Sequence, residues 1–140
     1  MRSILFHCKK FNANITGLST RGIEVIPEKV TSNNYDHGNS IIIWITVEEG
    51  DNIENIIPKI KKEIEKFCEE TKENRILLFP FAHLSNKLAS FKTGIGFFDQ
   101  LEAEFKAENK YEIERVHFGS DKELLMQLFG HPGNVRYREF

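Results

Sequence analysis

The chain has 140 residues, 40% hydrophobic and 29% charged, which is one ordinary globular core and excludes both a disordered chain and a second core of useful size. No apolar run reaches the roughly 18–20 residues that span a bilayer, so no membrane helix is expected. Nineteen basic and 21 acidic residues give a formal charge of −2, which excludes a net basic face gripping long nucleic acid; any RNA contact is local.

In chain order, residues 2–7 read as a strand. They follow Met1 directly, so no signal peptide is expected and the compartment is read as cytoplasmic. Residues 12–27 alternate weakly (Ala13, Ile15, Ile23, Val25) around Gly17 and Gly22, the pattern of a hairpin or a bent strand. Thr31 to Asn39 is rich in turn residues and reads as a polar loop. Residues 40–48 are the clearest strand, dense in β-branched side chains and expected at the centre of the sheet.

Asp51 and Glu54 have capping-box spacing. Ile53, Ile56, Ile57, Ile60, Ile64, Phe67 and Cys68 then share one helical face. Pro58 cannot donate to the carbonyl four residues back, so the regular helix either begins near Asn55 or kinks at Pro58. Arg75 to Phe79 reads as a buried strand closed by Pro80. A second helix is expected over Thr93 to Asn109 with Phe98, Leu101 and Phe105 inward, although Gly94 and Gly96 are poor helix formers. Strands at 111–117, 122–129 and 134–139, divided by Gly119 and Gly130-His131-Pro132-Gly133, are expected to pair antiparallel. The order predicts an α+β fold with a mixed sheet and two main helices.

Among chemical motifs, the absences narrow the field. Gly94-x-Gly96 lacks the third glycine of a dinucleotide fingerprint, and there is no Gly-Lys-Ser/Thr phosphate loop or Gly-x-Ser-x-Gly elbow. His7, His37, His83, His117 and His131 lack paired metal-ligand spacing, so no metal or cofactor is expected. Cys8 and Cys68 read by default as two reduced, half-buried thiols, with a bridge between them as the alternative. The basic spots, Lys9-Lys10, Lys59 with Lys61-Lys62, and Arg136 with Arg138, read as solvated surface.

Three stretches carry information. Phe79-Pro80-Phe81-Ala82-His83-Leu84-Ser85 delivers a histidine and a serine just beyond a strand end, where functional groups are commonly presented; the plainer reading is a structural histidine and a capping serine. His117-Phe118-Gly119-Ser120-Asp121-Lys122 repeats the arrangement. Its Asp-Lys pair is either an exposed ion pair or a group that holds water and balances an oxyanion. Gly130-His131-Pro132-Gly133 is a turn first.

Taken in order, these pieces resemble the archaeal N-terminal editing domain of threonyl-tRNA synthetase, itself similar in fold to D-aminoacyl-tRNA deacylase. The resemblance runs over nearly the whole chain. It is carried by Phe6-His7, Ile45-Thr46-Val47-Glu48, Pro80-Phe81-Ala82-His83-Leu84-Ser85, Phe118-Gly119 with Lys122, and Gly130-His131-Pro132. The Pro-Phe-Ala-His-Leu-Ser run is the most specific.

The resemblance implies hydrolysis of seryl-tRNA charged to the threonine tRNA, with D-aminoacyl-tRNA a second substrate class. Val47, Pro80, Phe81, Ala82 and Phe118 would wall out the extra methyl of threonine, and backbone near Ala82 and Gly119 would hold the amino acid. Lys122 would place the attacking water or the ester, and His83 would shape the site. The partner implied is the 3′ end of aminoacyl-tRNA. A threonyl-tRNA synthetase acting in trans and a two-fold homodimer are further expectations.

The chain departs from the family at two places. Asp121 stands where an aromatic residue, commonly tyrosine, precedes the lysine, and Gly133-Asn134-Val135 stands where an acidic residue follows Gly-His-Pro. Asp121 is the candidate to take over water holding. The alternative is a non-catalytic module of the same fold that binds aminoacyl-adenosine, an amino acid or a synthetase partner.

Overall fold

The structure, a computed structural model, describes residues 1–18 and 30–140. The expected turn at Gly22 with Ile23 and Val25 lies outside the described residues. Those described form seven strands and two helices. They are β1 (Arg2–Leu18), β2 (Asn34–His37), β3 (Ser40–Thr46), α1 (Ile53–Thr71), β4 (Arg75–Pro80), α2 (Phe91–Glu108), β5 (Glu112–Arg115), β6 (Ser120–Leu128) and β7 (Val135–Glu139). The α+β class with a mixed sheet and two helices is therefore the one observed, as a curled half-barrel of the D-aminoacyl-tRNA deacylase kind.

β1 organises the sheet. One edge carries β3 and β2 antiparallel in one register, from Arg2↔Thr46 to Asn14↔Asn34. The other edge carries β7 opposite Arg2–Phe6 and β6 opposite Cys8–Leu18. β4 adds parallel to β3, and β5 parallel to β4. The expected antiparallel set of C-terminal strands is thus corrected. β5 lies at the far edge, and β6 and β7 follow one another along β1 instead of pairing together. The reason is reach: a 17-residue strand offers more edge than one short partner can cover.

The loop expected at Thr31–Asn39 is also corrected in part, because Asn34–His37 pairs with β1. Its turn residues survive as the break at Gly38-Asn39. The break sits opposite Lys9-Lys10, where the β1–β6 register shifts. The bulge changes the alternation, so Phe6 and Cys8 share a face with Phe11, Ala13 and Ile15.

The two faces bury different cores. On one face, α1 and α2 cover Leu5, Ile41, Ile43, Ile45, Ile76 and Leu78 with Ile57, Ile60, Ile64, Phe97, Leu101 and Phe105. On the other, the sheet curls over itself and packs Phe11, Ala13 and Tyr35 against Ile42, Leu77, Phe79 and Val116. The curl is pinned across its width by the His37–Glu114 contact at 2.7 Å and by His117 N–H donating to the Tyr35 hydroxyl at 3.0 Å.

Two helix starts differ from expectation. Asn52, not Asp51, caps α1, accepting from Asn55 N–H at 3.1 Å, and α1 runs from Ile53 through Pro58. Pro58 is exposed, so the Glu54 carbonyl it leaves without an amide partner faces the solvent side. α2 starts at Phe91, capped by Ser90 accepting from Thr93 N–H at 3.1 Å. Gly94 is tolerated inside α2 because a Cβ there would stand 3.0 Å from the Phe118 ring.

Candidate functional site

The chain leaves β4 at Pro80 and turns into a loop that β3 and the N-terminus hold in place. Phe81 N–H donates to Ile45 O at 2.9 Å, and Thr46 Oγ1 donates to Phe81 O. Further along, Ala89 N–H donates to Val47 O and Glu49 N–H to Lys87 O, both at 3.0 Å. Arg2 donates to Leu84 O at 2.9 Å, and the Ser85 hydroxyl donates to Glu48. These ties leave Ala82 and His83 exposed at the tip.

Beneath that tip lies an aromatic shelf. Trp44 stacks on Phe81 with centroids 4.3 Å apart and meets Phe6 edge-on at 4.9 Å. Phe79 lies 6.0 Å from Trp44, and His83 meets Phe81 edge-on at 5.2 Å. The Trp44 indole N–H is buried and has no hydrogen-bond partner among the described residues. The rings form an apolar platform, and the indole N–H lies buried and is not presented on its surface.

The segment after β5 reaches the same region. Lys122, opposite Ile15 in β6, places its Nζ 5.4 Å from the Phe79 ring centroid and donates to Ser120 O at 2.7 Å. Burial pushes its amine down to about 8, with Asp121 opposing the shift. A second contact joins the same two segments: Phe91, two residues beyond the held loop, lies against Gly119. Glycine is required there twice over, by a φ of +81° and because a Cβ would come within 2.9 Å of the Phe91 ring.

Lys122 thus meets Phe79, which leads into Pro80-Phe81-Ala82-His83, and Gly119 meets Phe91 beyond the held loop. Three expected residues sit differently. Val47 is buried in the helix-side core, and its contribution to the loop is its carbonyl. Phe118 packs edge-on against Phe91 at 4.6 Å and Phe98 at 5.8 Å, also on the helix side. Asp121 is exposed, pairs with Gly17, and by strand alternation points to the face opposite Lys122.

The Gly-His-Pro turn lies farther along β1. His131 Nε2 is 2.7 Å from His7 Nδ1, and His7 Nε2 is 3.3 Å from Glu73. Val135 pairs with Phe6, so the position where the resemblance leads one to expect an acid borders the shelf. A cavity of about 290 Å³ lies elsewhere, between Cys68, Glu69, Lys72, Glu73, Lys110 and Tyr111, and includes none of the expected site residues.

Sequence reasoning missed Trp44, Phe6 and Glu48 as parts of this region. The available signal was positional: Phe6 and Trp44 stand on the same face as Phe79 once the register is known. Both cysteines are free and buried, and burial pushes both thiols up to about 12, which leaves them unreactive. Among the described residues no cluster of three or more His, Cys, Asp or Glu could hold a metal, and no helix is long and apolar enough to cross a membrane.

Comparison with known proteins places the chain in a family. Residues 1–139 match the model of the archaea-specific editing domain of threonyl-tRNA synthetase. The threonine–tRNA ligase of Staphylothermus marinus is 32% identical over 134 residues, covering 94% of this chain and 21% of the relative. That of Thermococcus gammatolerans is 30% identical over 134 residues with the same coverage. That of Methanosarcina acetivorans is 34% identical over 109 residues, covering 78% of this chain and 17% of the relative. The chain spans about a fifth of the length of the ligases it matches. With the match running from the first strand to the last, the chain belongs to the archaea-specific editing-domain family of threonyl-tRNA synthetase.

Proposed function

We propose that this domain is an aminoacyl-tRNA deacylase that hydrolyses the ester of seryl-tRNA(Thr), with D-aminoacyl-tRNA as a second substrate class. The observation that carries the reading is the Lys122 amine over the ring of Phe79, the residue that leads into Pro80–His83, in a chain of the editing-domain family. Selectivity against threonine is the task that binding alone performs poorly, since one methyl is worth roughly 1–3 kcal/mol.

Water adds to the ester carbonyl and forms a tetrahedral oxyanion. Its collapse releases serine and returns the terminal ribose oxygen as a hydroxyl, which takes up a proton. An aminoacyl ester is already activated, and the neighbouring ribose hydroxyl can assist. The protein then has to orient a water and support the oxyanion. Lys122, with its amine near 8, is largely an ammonium at neutral pH and supplies positive charge where burial makes it effective. His83 and the backbone at Ala82 and Gly119 border the acyl group. Val47 and Phe118 set the positions of the loop and the turn from the helix side.

The test is deacylation of L-seryl-, L-threonyl- and D-aminoacyl-tRNA by this chain added in trans, with Lys122→Met alongside. Serine-selective turnover that disappears in the variant supports the proposal; equal turnover by the variant removes Lys122 from it. An ammonium role further requires the rate to fall as pH rises through about 8, whereas a rise through the same range assigns Lys122 as a base.

A second reading, a binding module without turnover, is favoured by Asp121 pointing off the Lys122 face and by Val135 bordering the shelf. Binding of a seryl-adenosine analogue with no release of serine from seryl-tRNA distinguishes it. Asp121→Ala with wild-type rates removes Asp121 from the mechanism. A homodimer and a synthetase acting in trans are partner proposals, tested by sedimentation and by co-purification with the ligase.

A further inference from the structure

His7 and His131 face one another where β1 meets the Phe129–Asn134 turn. His7 Nδ1 lies 2.7 Å from His131 Nε2, His7 Nε2 lies 3.3 Å from Glu73 Oε1, and His131 Nδ1 lies 3.0 Å from Pro132 O. The backbone joins the same two segments: His7 N–H donates to Asn134 O at 2.9 Å, and Phe129 N–H to His7 O at 3.0 Å. The row of side-chain contacts ends on a carboxylate at one side and a carbonyl at the other, and both only accept. Each of its three gaps therefore takes one hydrogen. Two neutral imidazoles bring only two. The row closes when the pair holds one further proton, which places a single imidazolium charge beside the Glu73 carboxylate.

The surroundings match such a charge. His7 is buried, and Glu73 is mostly so. Phe67 of α1 meets His7 edge-on at 6.5 Å; Arg136 of β7 lies over that ring at 4.2 Å and pairs with Glu70. Phe129, just past β6, lies 4.3 Å from His7, and β3 brings Ile41 opposite it. Lys9 and Lys10 on β1 are exposed, as are Glu69, Lys72 and Lys110 around the cavity that Glu73 borders.

We propose that His7 and His131 share one added proton and that this proton latches the Phe129–Asn134 turn to β1, so that the turn loosens as pH rises. His7, His131 and Glu73 are positioning groups. What they position is the entry to β7, where Val135 stands beside Phe6 at the border of the aromatic shelf. The inference concerns the turn and stands apart from the deacylase reading. The proton belongs to the latched form, and its loss leaves two acceptors facing across one gap. Glu73→Gln tests the proton count, because an amide donates where a carboxylate cannot. With an amide there, the row closes with two neutral rings.

The experiment follows the ring nitrogen resonances of His7 and His131 and the hydrogen-exchange protection of the His7 and Phe129 amides, in steps from about pH 5 to 8.5. Protection is taken relative to the intrinsic exchange rate at each pH. The unsubstituted chain is expected to show three protonated ring nitrogens at the acid end and two at the alkaline end. Protection of both amides is expected to fall about tenfold between them, the scale of one buried hydrogen bond. Glu73→Gln is expected to show two protonated nitrogens throughout, with level protection. The Phe81 amide, bonded to Ile45 O away from the turn, serves as the control and keeps its protection in both chains. Any other count at the acid end in the unsubstituted chain overturns the proposal, and so does an equal loss of protection with pH in Glu73→Gln. Should Glu73→Gln unfold the chain, His131→Gln takes its place: its amide donates to a neutral His7, and the same level protection is expected.

Discussion

The two faces of the sheet are built from one set of strands and serve opposite ends. The helix-covered face is aliphatic and closed: Ile41, Ile43, Ile57, Ile60, Ile64 and Leu78 have no exposed surface. The other face is aromatic and incompletely closed, with Phe6, Trp44 and Phe81 only partly buried and a buried indole N–H without a partner among the described residues. A closed aliphatic layer contributes about 1.5–3 kcal/mol for each fully buried side chain and leaves nothing free to bind. A half-covered aromatic layer forgoes part of that stabilisation and keeps a surface available. The first face is closed for stability, and the second keeps aromatic surface uncovered.

The comparison breaks first where its difference is largest. Ile60→Ala, in the closed layer, is expected to lower unfolding free energy by about 2–5 kcal/mol in a denaturant titration, with turnover per folded molecule unchanged. Lys122→Met, beside the open layer, is expected to reverse that pattern, losing about 10²–10³-fold in turnover with a small change in stability. Its pH dependence sharpens the point. Because folding lowers the amine to about 8, the unfolded chain binds more protons between about 8 and 10.5, so stability of the natural chain rises with pH across that window. In Lys122→Met this contribution to the slope is absent, which chemical denaturation at stepped pH measures.

Gly119→Ala strains both layers at their seam, since the residue has a φ of +81° and the Phe91 ring beside it. It is expected to cost about 1–3 kcal/mol and to shift the turn that carries Lys122. The smallest effect is expected from Trp44→Phe. With no partner for its N–H among the described residues, replacement should change stability by less than about 1 kcal/mol. Trp44 is the sole tryptophan, so quenching of its fluorescence by a seryl-adenosine analogue reports occupancy of the shelf; an unaltered spectrum at saturation places the ligand elsewhere.

Local patterns carried the elements and their contents. The period of Ile56, Ile57, Ile60 and Ile64 specified α1, and the β-branched run at 40–46 specified β3. The motif around His83 was legible because its residues are contiguous and the strand before it ends at a proline. Asp121 was expected to act with Lys122, but neighbouring strand residues take opposite faces, and Val47, one residue past β3, turns into the helix-side core.

By itself, then, the sequence determined the two helices, most of the strands, the α+β class and the family, since each rests on periodicity or on short runs of neighbouring residues. Tertiary structure alone decided that β6 and β7 share one edge of β1, that Val47 and Phe118 face the helices, and that Glu48 holds Ser85. Those outcomes depend on register, on one bulge near Lys9 and on the curl that folds the sheet over itself. Each joins residues tens of positions apart, and no local preference encodes such a distance.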